Sequence, residues 1–276
     1  MSAEGRQKRS DWALILGASS GFGGAVAVEL AKLGLNIFGV HLDRQATMRN
    51  VERVIRDIRQ TGSKAVFYNI NAADTIKREE TIDDMVERLN ESGSGSIRVF
   101  LHSLAFGSLK PFIAKKAEDA VNQAQLEMTL DVMANSLVYW TQGLVNHKLI
   151  KRGGRIFAMT SSGGHTVMPY YGAISAAKAA LESHIRQLAM ELGPMGITAN
   201  AILAGVTITP ALRKIPGSDR MIEYARMKNP GMRLTVPEDV AKAIALLYQE
   251  GAGWISGNVI HVDGGEDVVG FLNMKQ

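Results

Sequence analysis

The feature that most restricts this chain is a Gly-rich turn set between an apolar run and a helical period. Trp12-Ala13-Leu14-Ile15-Leu16 reads as a short strand, and Gly17-Ala18-Ser19-Ser20-Gly21-Phe22-Gly23 follows it. Ala25, Val26, Val28, Leu30, Ala31 and Leu33 then recur at helical spacing up to Gly34, a helix C-terminal signal. Strand, turn and helix in immediate succession describe the first unit of a dinucleotide-binding sheet. The glycines allow a tight turn and a close backbone approach, and the helix N-terminus receives the pyrophosphate. The spacing is GxxxGxG rather than the more common GxGxxG.

The alternation continues to the end of the chain. Strands are predicted at 36–40, 65–70, 97–101, 156–159, 197–203 and 259–262, and helices at 51–58, 76–89, 126–149, 170–192 and 240–248. Thr235-Val-Pro-Glu238 is predicted to start the last helix with a capping box, Thr235 as the cap and Pro237 in the first turn. Strands separated by helices imply a Rossmann-type, doubly wound parallel sheet of the α/β class, seven strands in a single domain spanning residues 1–276. There are no cysteines, so a thiolate nucleophile and thiolate metal ligands are excluded. The six histidines are scattered without metal-ligand spacing, so no metal is expected. The polar N-terminus and the absence of a long apolar run predict a cytoplasmic protein with no membrane association. A net charge of +4 without a basic, aromatic-interleaved stripe gives no nucleic-acid signal.

Chemistry concentrates between Met159 and Leu181, MTSSGGHTVMPYYGAISAAKAAL. If the helix is regular through this stretch, at about 100° per residue, Tyr171 and Lys178 project from nearly the same side. A phenol beside an ammonium forms an acid catalyst, because the cation favours the phenolate and lowers the Tyr pKa. Loops at the strand C-terminal ends are small or polar: 17–23, His41-Leu-Asp-Arg44, Asn71-Ala72, His102 to Gly107, Thr160 to Gly163 and Ala204 to Thr209. Such ends line the ligand crevice of this architecture.

Together, Gly17-xxx-Gly21-x-Gly23, the Ser161/Ser162 strand end, the Tyr and Lys of the next helix and Val262-Asp-Gly-Gly265 resemble the short-chain dehydrogenase/reductase family over nearly the whole chain. Three departures make it similar to the bacterial enoyl-acyl-carrier-protein reductases. Ile174 stands four residues before Lys178, leaving Tyr171 in a Tyr-x6-Lys arrangement; His102-Ser-Leu-Ala-Phe106 follows the fourth strand; Ala204-Gly205 replaces Pro-Gly. The Asn of the family's usual tetrad falls on Met133, with Asn135 close by. The loop from Ser161 to Lys178 is one residue shorter than the resemblance leads one to expect, which keeps Tyr170 open as the acid beside Tyr171.

The resemblance implies catalytic roles for Tyr171, Lys178, Tyr170 and Ser161. It implies cofactor contacts from Gly17, Ser19, Ser20, Gly21, Phe22, Gly23, His41, Arg44, Asn71, Ala72, Ser103, Leu104, Ala105, Lys178, Gly205, Thr207 and Thr209. The expected activity is reduction of the 2,3 double bond of an enoyl thioester, with Tyr hydrogen-bonding the developing enolate oxygen. A 3-oxoacyl, carbonyl or hydroxysteroid-type reductase and a non-catalytic nucleotide-binding regulator remain alternatives. His41 and Arg44 favour NADPH, since a 2′-phosphate needs a cation in reach, whereas Asp43 favours NADH. Residues 206–232 read as a lid whose Leu212, Ile215, Met221, Ile222, Tyr224 and Met227 would line an acyl channel. Its Arg213, Lys214, Arg220, Arg226 and Lys228 would meet an acidic carrier protein bearing the acyl thioester. A homotetramer is expected by the same resemblance, built through the helices at 118–149 and 170–192.

Overall fold

The computed structural model describes residues 10–91, 93 and 95–270; most of the polar N-terminal stretch read above, residues 1–9, lies outside them. Seven parallel strands form one sheet in the order β3-β2-β1-β4-β5-β6-β7. They are β1 Trp12–Leu16, β2 Asn36–His41, β3 Ala65–Asn69, β4 Ile97–His102, β5 Ile150–Thr160, β6 Thr198–Ala204 and β7 Val259–Val262. Helices α1 Gly21–Lys32, α2 Met48–Gln60, α3 Thr75–Glu91, α4 Gln123–Leu130, α5 Ser136–Asn146, α6 Gly172–Leu192, α7 Ser218–Lys228 and α8 Pro237–Leu247 fill the crossovers. Strand order reverses between β1 and β4, which opens a crevice at their C-terminal ends.

Strand side chains alternate between two cores. Trp12, Leu14, Leu16, Phe38, Phe100 and Ile156 face the layer carrying Met85, Trp140 and Leu181, and Trp12 stacks on Phe38 at 4.0 Å between ring centroids. Ala13, Ile15, Ile37, Val99, Leu101 and Phe157 face the layer of α1 and α8. Both faces of the sheet are covered, so β1 is apolar throughout instead of alternating with polar residues. No helix among the described residues is long and apolar enough to cross a membrane.

Three sequence expectations shift. The single helix predicted at 126–149 is two helices joined by a π-turn over Asp131–Asn135. Strand β5 starts at Ile150, well before 156, because Ile150 pairs with Ile97 ahead of an irregularity in the ladder. The last helix is capped at Val236, not Thr235. Asp239 Oδ2 accepts the Val236 N–H at 3.0 Å, Pro237 takes the first turn, and Thr235 is buried against Gly205. Asp239, at the third helical position, thus supplies the return bond of a capping box, while its own N–H goes to the Val236 carbonyl because valine has no capping side chain.

Candidate active site

The floor of the crevice is backbone. Gly17 has φ +85, and its N–H donates to the Val40 carbonyl at 2.8 Å. A Cβ there would overlap the Ser103 carbonyl oxygen, so strand-end loop and Gly-rich turn approach as closely as glycine permits. Gly21, at φ +54, faces the Thr209 methyl group, 3.5 Å from where its Cβ would lie. Ser20 caps α1 in extended conformation without a side-chain hydrogen bond. The first amides of that helix therefore have no helical acceptor and stand beside a cradle that side chains would fill. These residues fit a pyrophosphate, with Ser19, Phe22 and Gly23 completing the turn.

At the end of β2, His41 is buried and its Nδ1 lies 3.1 Å from Asp43 Oδ2. Burial pulls the imidazole below its ordinary value, against the opposing pull of Asp43. Asp43 itself titrates low: burial raises it, but hydrogen bonds from Thr47 and Ser19 and the nearby His41 more than offset that. His41 is thus a prop beneath the loop, while Arg44 is exposed and forms no ion pair among the described residues. At β3, Asn71 is exposed with Oδ1 accepting the Ala73 N–H at 3.1 Å. Ala72 is buried, and its carbonyl accepts from Trp140 Nε1 at 2.8 Å.

Across the switch point, the Ser103 N–H donates to the Leu16 carbonyl at 3.0 Å, and Leu104 and Ala105 continue along the rim. His102, one residue earlier, is fully buried, with Nε2 2.8 Å from Ser136 Oγ; burial, then the charge of Lys178, push it down to about 3. On the far side Gly205 is buried, Thr207 Oγ1 donates to its carbonyl at 3.0 Å, and Thr209 Oγ1 accepts the Leu212 N–H at 3.2 Å.

The two tyrosines part company at a turn. The Tyr171 N–H donates to the Met168 carbonyl at 3.3 Å, Pro169 and Tyr170 lie between, and Tyr170 has φ +64. That is the geometry of a type II turn, whose third position glycine usually fills. Helix α6 begins only at Gly172, with Tyr171 as its cap. The expectation of a regular helix through both tyrosines is therefore corrected. Tyr171 is buried with its ring against Gly163, while Tyr170 is 46% exposed. Ser161 Oγ is buried without a hydrogen-bond partner of good geometry.

The expected influence of Lys178 on the phenol is also corrected. Burial raises the Tyr171 pKa, and the group that lowers it is the Ser161 hydroxyl. Lys178 is buried, and its Nζ donates to the Met159 carbonyl at 2.7 Å. Burial brings it down to about 8, with Glu182 acting upward. Glu182 Oε1 accepts from Thr160 Oγ1 at 2.6 Å. The sequence reading missed Glu182, although a carboxylate four residues beyond a lysine on one helix face was a usable signal. Asn135 Oδ1 lies 3.2 Å from His184 Nε2, and Met133 is buried in the core.

Over 206–232 the chain forms a single turn at Leu212–Lys214 and then α7. Leu212 is buried, Ile215 packs on the core, and Tyr224 and Met227 are exposed. The segment is rooted at both ends: Glu266 accepts the Val206 N–H at 3.1 Å, and Asn229 Nδ2 donates to the Asp263 carbonyl at 2.7 Å.

A parallel sheet with a glycine cradle at its switch point, and a Ser–Tyr–Lys set at the end of the fifth strand, define a nicotinamide-dependent oxidoreductase of the short-chain dehydrogenase/reductase class. More narrowly, the chain belongs to the family described as enoyl-(acyl carrier protein) reductase, whose model matches residues 17–266. It is 30% identical over 205 residues to the enoyl-[acyl-carrier-protein] reductase [NADH] of Aquifex aeolicus, covering 73% of this chain and 74% of that protein. It is 27% identical over 261 residues to an NADPH-dependent aldehyde reductase-like protein, chloroplastic, of Arabidopsis thaliana, covering 92% and 93%. The crystal structure of the Aquifex enzyme superposes with a TM-score of 0.79 at 26% identity, covering 96% of this chain and 99% of that one.

Proposed function

We propose that this protein reduces the 2,3 double bond of enoyl thioesters carried on an acidic carrier protein, using NADPH. The observation that carries the reading is the placement of Tyr171: a buried, un-ionised phenol at the cap of α6, beside Ser161, with Ile174 where another acid would otherwise stand. The nicotinamide cofactor supplies the hydride. As negative charge grows on the thioester oxygen, the Tyr171 hydroxyl donates a hydrogen bond to it and then its proton. Ser161 orients that phenol. Lys178 holds the ribose, Ser103, Leu104 and Ala105 pass it through backbone contacts, and the first turn of α1 with Thr209 holds the phosphates.

Two observations support NADPH. Asp43, the acid that would accept from ribose hydroxyls, is held by Ser19, Thr47 and His41. Arg44 is exposed and unpaired among the described residues, as a 2′-phosphate requires. Arg213, Lys214, Arg220 and Arg226 are exposed on the lid and likewise form no ion pairs there, which supports an acidic carrier. A homotetramer in the cytoplasm completes the reading, and light scattering checks its size.

The relative described as an aldehyde reductase and the Ser161–Tyr171 pairing favour one second reading, a carbonyl reductase. Crotonyl and acetoacetyl thioesters with NADPH separate the two: oxidation with the enoyl substrate supports the first, and oxidation with the keto substrate alone overturns it. Arg44→Ala is expected to weaken NADPH at least tenfold more than NADH, about 1.4 kcal/mol for the lost charge-assisted partner. Equal losses measured by cofactor titration remove Arg44 from the site.

A further inference from the structure

Lys178 sits where charge is hard to keep. Its ammonium is buried, its hydrogen bond goes to a neutral carbonyl, and burial alone favours loss of the proton. The titratable and polar groups nearby in the chain and sheet come from three elements. From β4, His102 is neutral at ordinary pH, since burial holds it down to about 3. From the end of β5 come the hydroxyls of Thr160 and Ser161, and from the cap of α6 the Tyr171 phenol, which burial keeps protonated. The one anion acting on Lys178 among the described residues is Glu182, one helical turn further along α6.

Glu182 is not a loose surface carboxylate. It is half-buried, and it accepts a hydrogen bond from Thr160 Oγ1 at 2.6 Å, anchoring α6 to the strand that carries Met159 and leads into Ser161. Gly164 presses against it from above: a Cβ there would lie 2.9 Å from Glu182 Oε1. Strand, loop and helix therefore fix the carboxylate from three sides.

We infer that Glu182 is a positioning residue for the reaction: held by Thr160, it supplies the counter-charge that keeps the Lys178 ammonium in its working state. The assignment rests on the proposed role of Lys178 in turnover, but its electrostatic part stands independently. Without Glu182, the ammonium has a carbonyl and neutral side chains about it, and it releases its proton at lower pH. Thr160 matters only by holding Glu182, so its loss is the weaker lesion.

The test follows the lysine directly. The full-length protein is labelled with 13C-lysine, and the Lys178 signal is assigned by its disappearance in Lys178→Arg. Its midpoint, about 8 in the native chain, is expected to fall by about one pH unit in Glu182→Gln, a tenfold loss of proton affinity, and by less in Thr160→Val. In parallel, the alkaline limb of kcat/KM for crotonyl thioester moves down with the midpoint, so the loss at pH 9 exceeds the loss at pH 6 by about tenfold. An unmoved midpoint in Glu182→Gln, or an equal loss of turnover at every pH, overturns the inference. If Glu182→Gln does not retain native near-UV circular dichroism, Thr160→Val decides alone, and an unmoved midpoint there is the overturning result. A shifted midpoint in a protein that turns over no enoyl thioester sinks the enoyl reading and leaves Glu182 in place.

Discussion

The Gly-rich turn and the tyrosine loop face each other across one crevice, yet they are built by opposite means. In the turn, shape comes from consecutive residues: Gly17 and Gly21 take left-handed φ, and α1 starts at once. In the tyrosine loop the left-handed residue is Tyr170, a side chain that pays a penalty for that conformation. The loop around it is packed by residues that are not its immediate neighbours. Gly163 lies beneath the Tyr171 ring, Phe112 covers Gly172, and His165 Nε2 pairs with Asp267 Oδ2 at 2.9 Å near the end of the described chain. A locally encoded loop is a property of its own residues, whereas a tertiary one changes with anything that moves its supports.

The largest effect should come from the residue the tertiary loop exists to place. Tyr171→Phe is expected to lower kcat about 100-fold or more, roughly 3 kcal/mol for loss of an oxyanion donor, with cofactor affinity little changed. Tyr170→Phe should cost about tenfold or less, since its phenol faces solvent. Steady-state kinetics on both variants checks this, and the reverse ranking would place the acid on Tyr170.

The turn is broken through its backbone. Gly17→Ala forces a side chain into a left-handed conformation at about 1–2 kcal/mol and drives a methyl group into the Ser103 carbonyl. Cofactor affinity, measured by nucleotide fluorescence, should fall by more than tenfold while the fold survives. Full affinity would show that the two loops can separate freely.

A buried base between the two regions gives a smaller effect, visible in pH. His102 has a folded pKa of about 3 against an ordinary value of 6.5, so below pH 6.5 the unfolded chain takes up a proton that the native chain refuses. This group's contribution therefore favours the fold fully above pH 6.5 and fades as pH falls towards 3. His102→Asn should flatten that part of a urea-stability profile, and a parallel profile would deny the imbalance.

The smallest effect sharpens the contrast. Tyr170→Gly removes a strain of about 1–2 kcal/mol but adds about 0.5–1 kcal/mol of glycine entropy. A net gain of up to about 1.5 kcal/mol in thermal unfolding is expected, with kcat close to the native value. A net loss would mean that the exposed Tyr170 ring makes contacts worth more than its strain.

The sequence by itself determined whatever depends on neighbours along the chain. Apolar runs and helical periods placed the β1-to-α1 unit and, apart from the early start of β5, the other strands within a residue or so, because burial on both sheet faces leaves a continuous apolar signature. The turn glycines were legible for the same reason, since their φ values are a local demand. The Tyr171–Lys178 pairing was read from a regular helix, and that helix starts only at Gly172. Tertiary structure decided the rest. Nothing in a run of polar and apolar residues announces a π-turn at 131–135, where Ser136 must reach His102 on β4. Nor could spacing show that burial raises the Tyr171 pKa with Ser161, rather than Lys178, opposing it, or that Thr160 holds Glu182. Those outcomes turn on hydrogen bonds and burial between segments brought together only when the sheet closes, and electrostatics at a buried site follows distance in space, not separation in sequence.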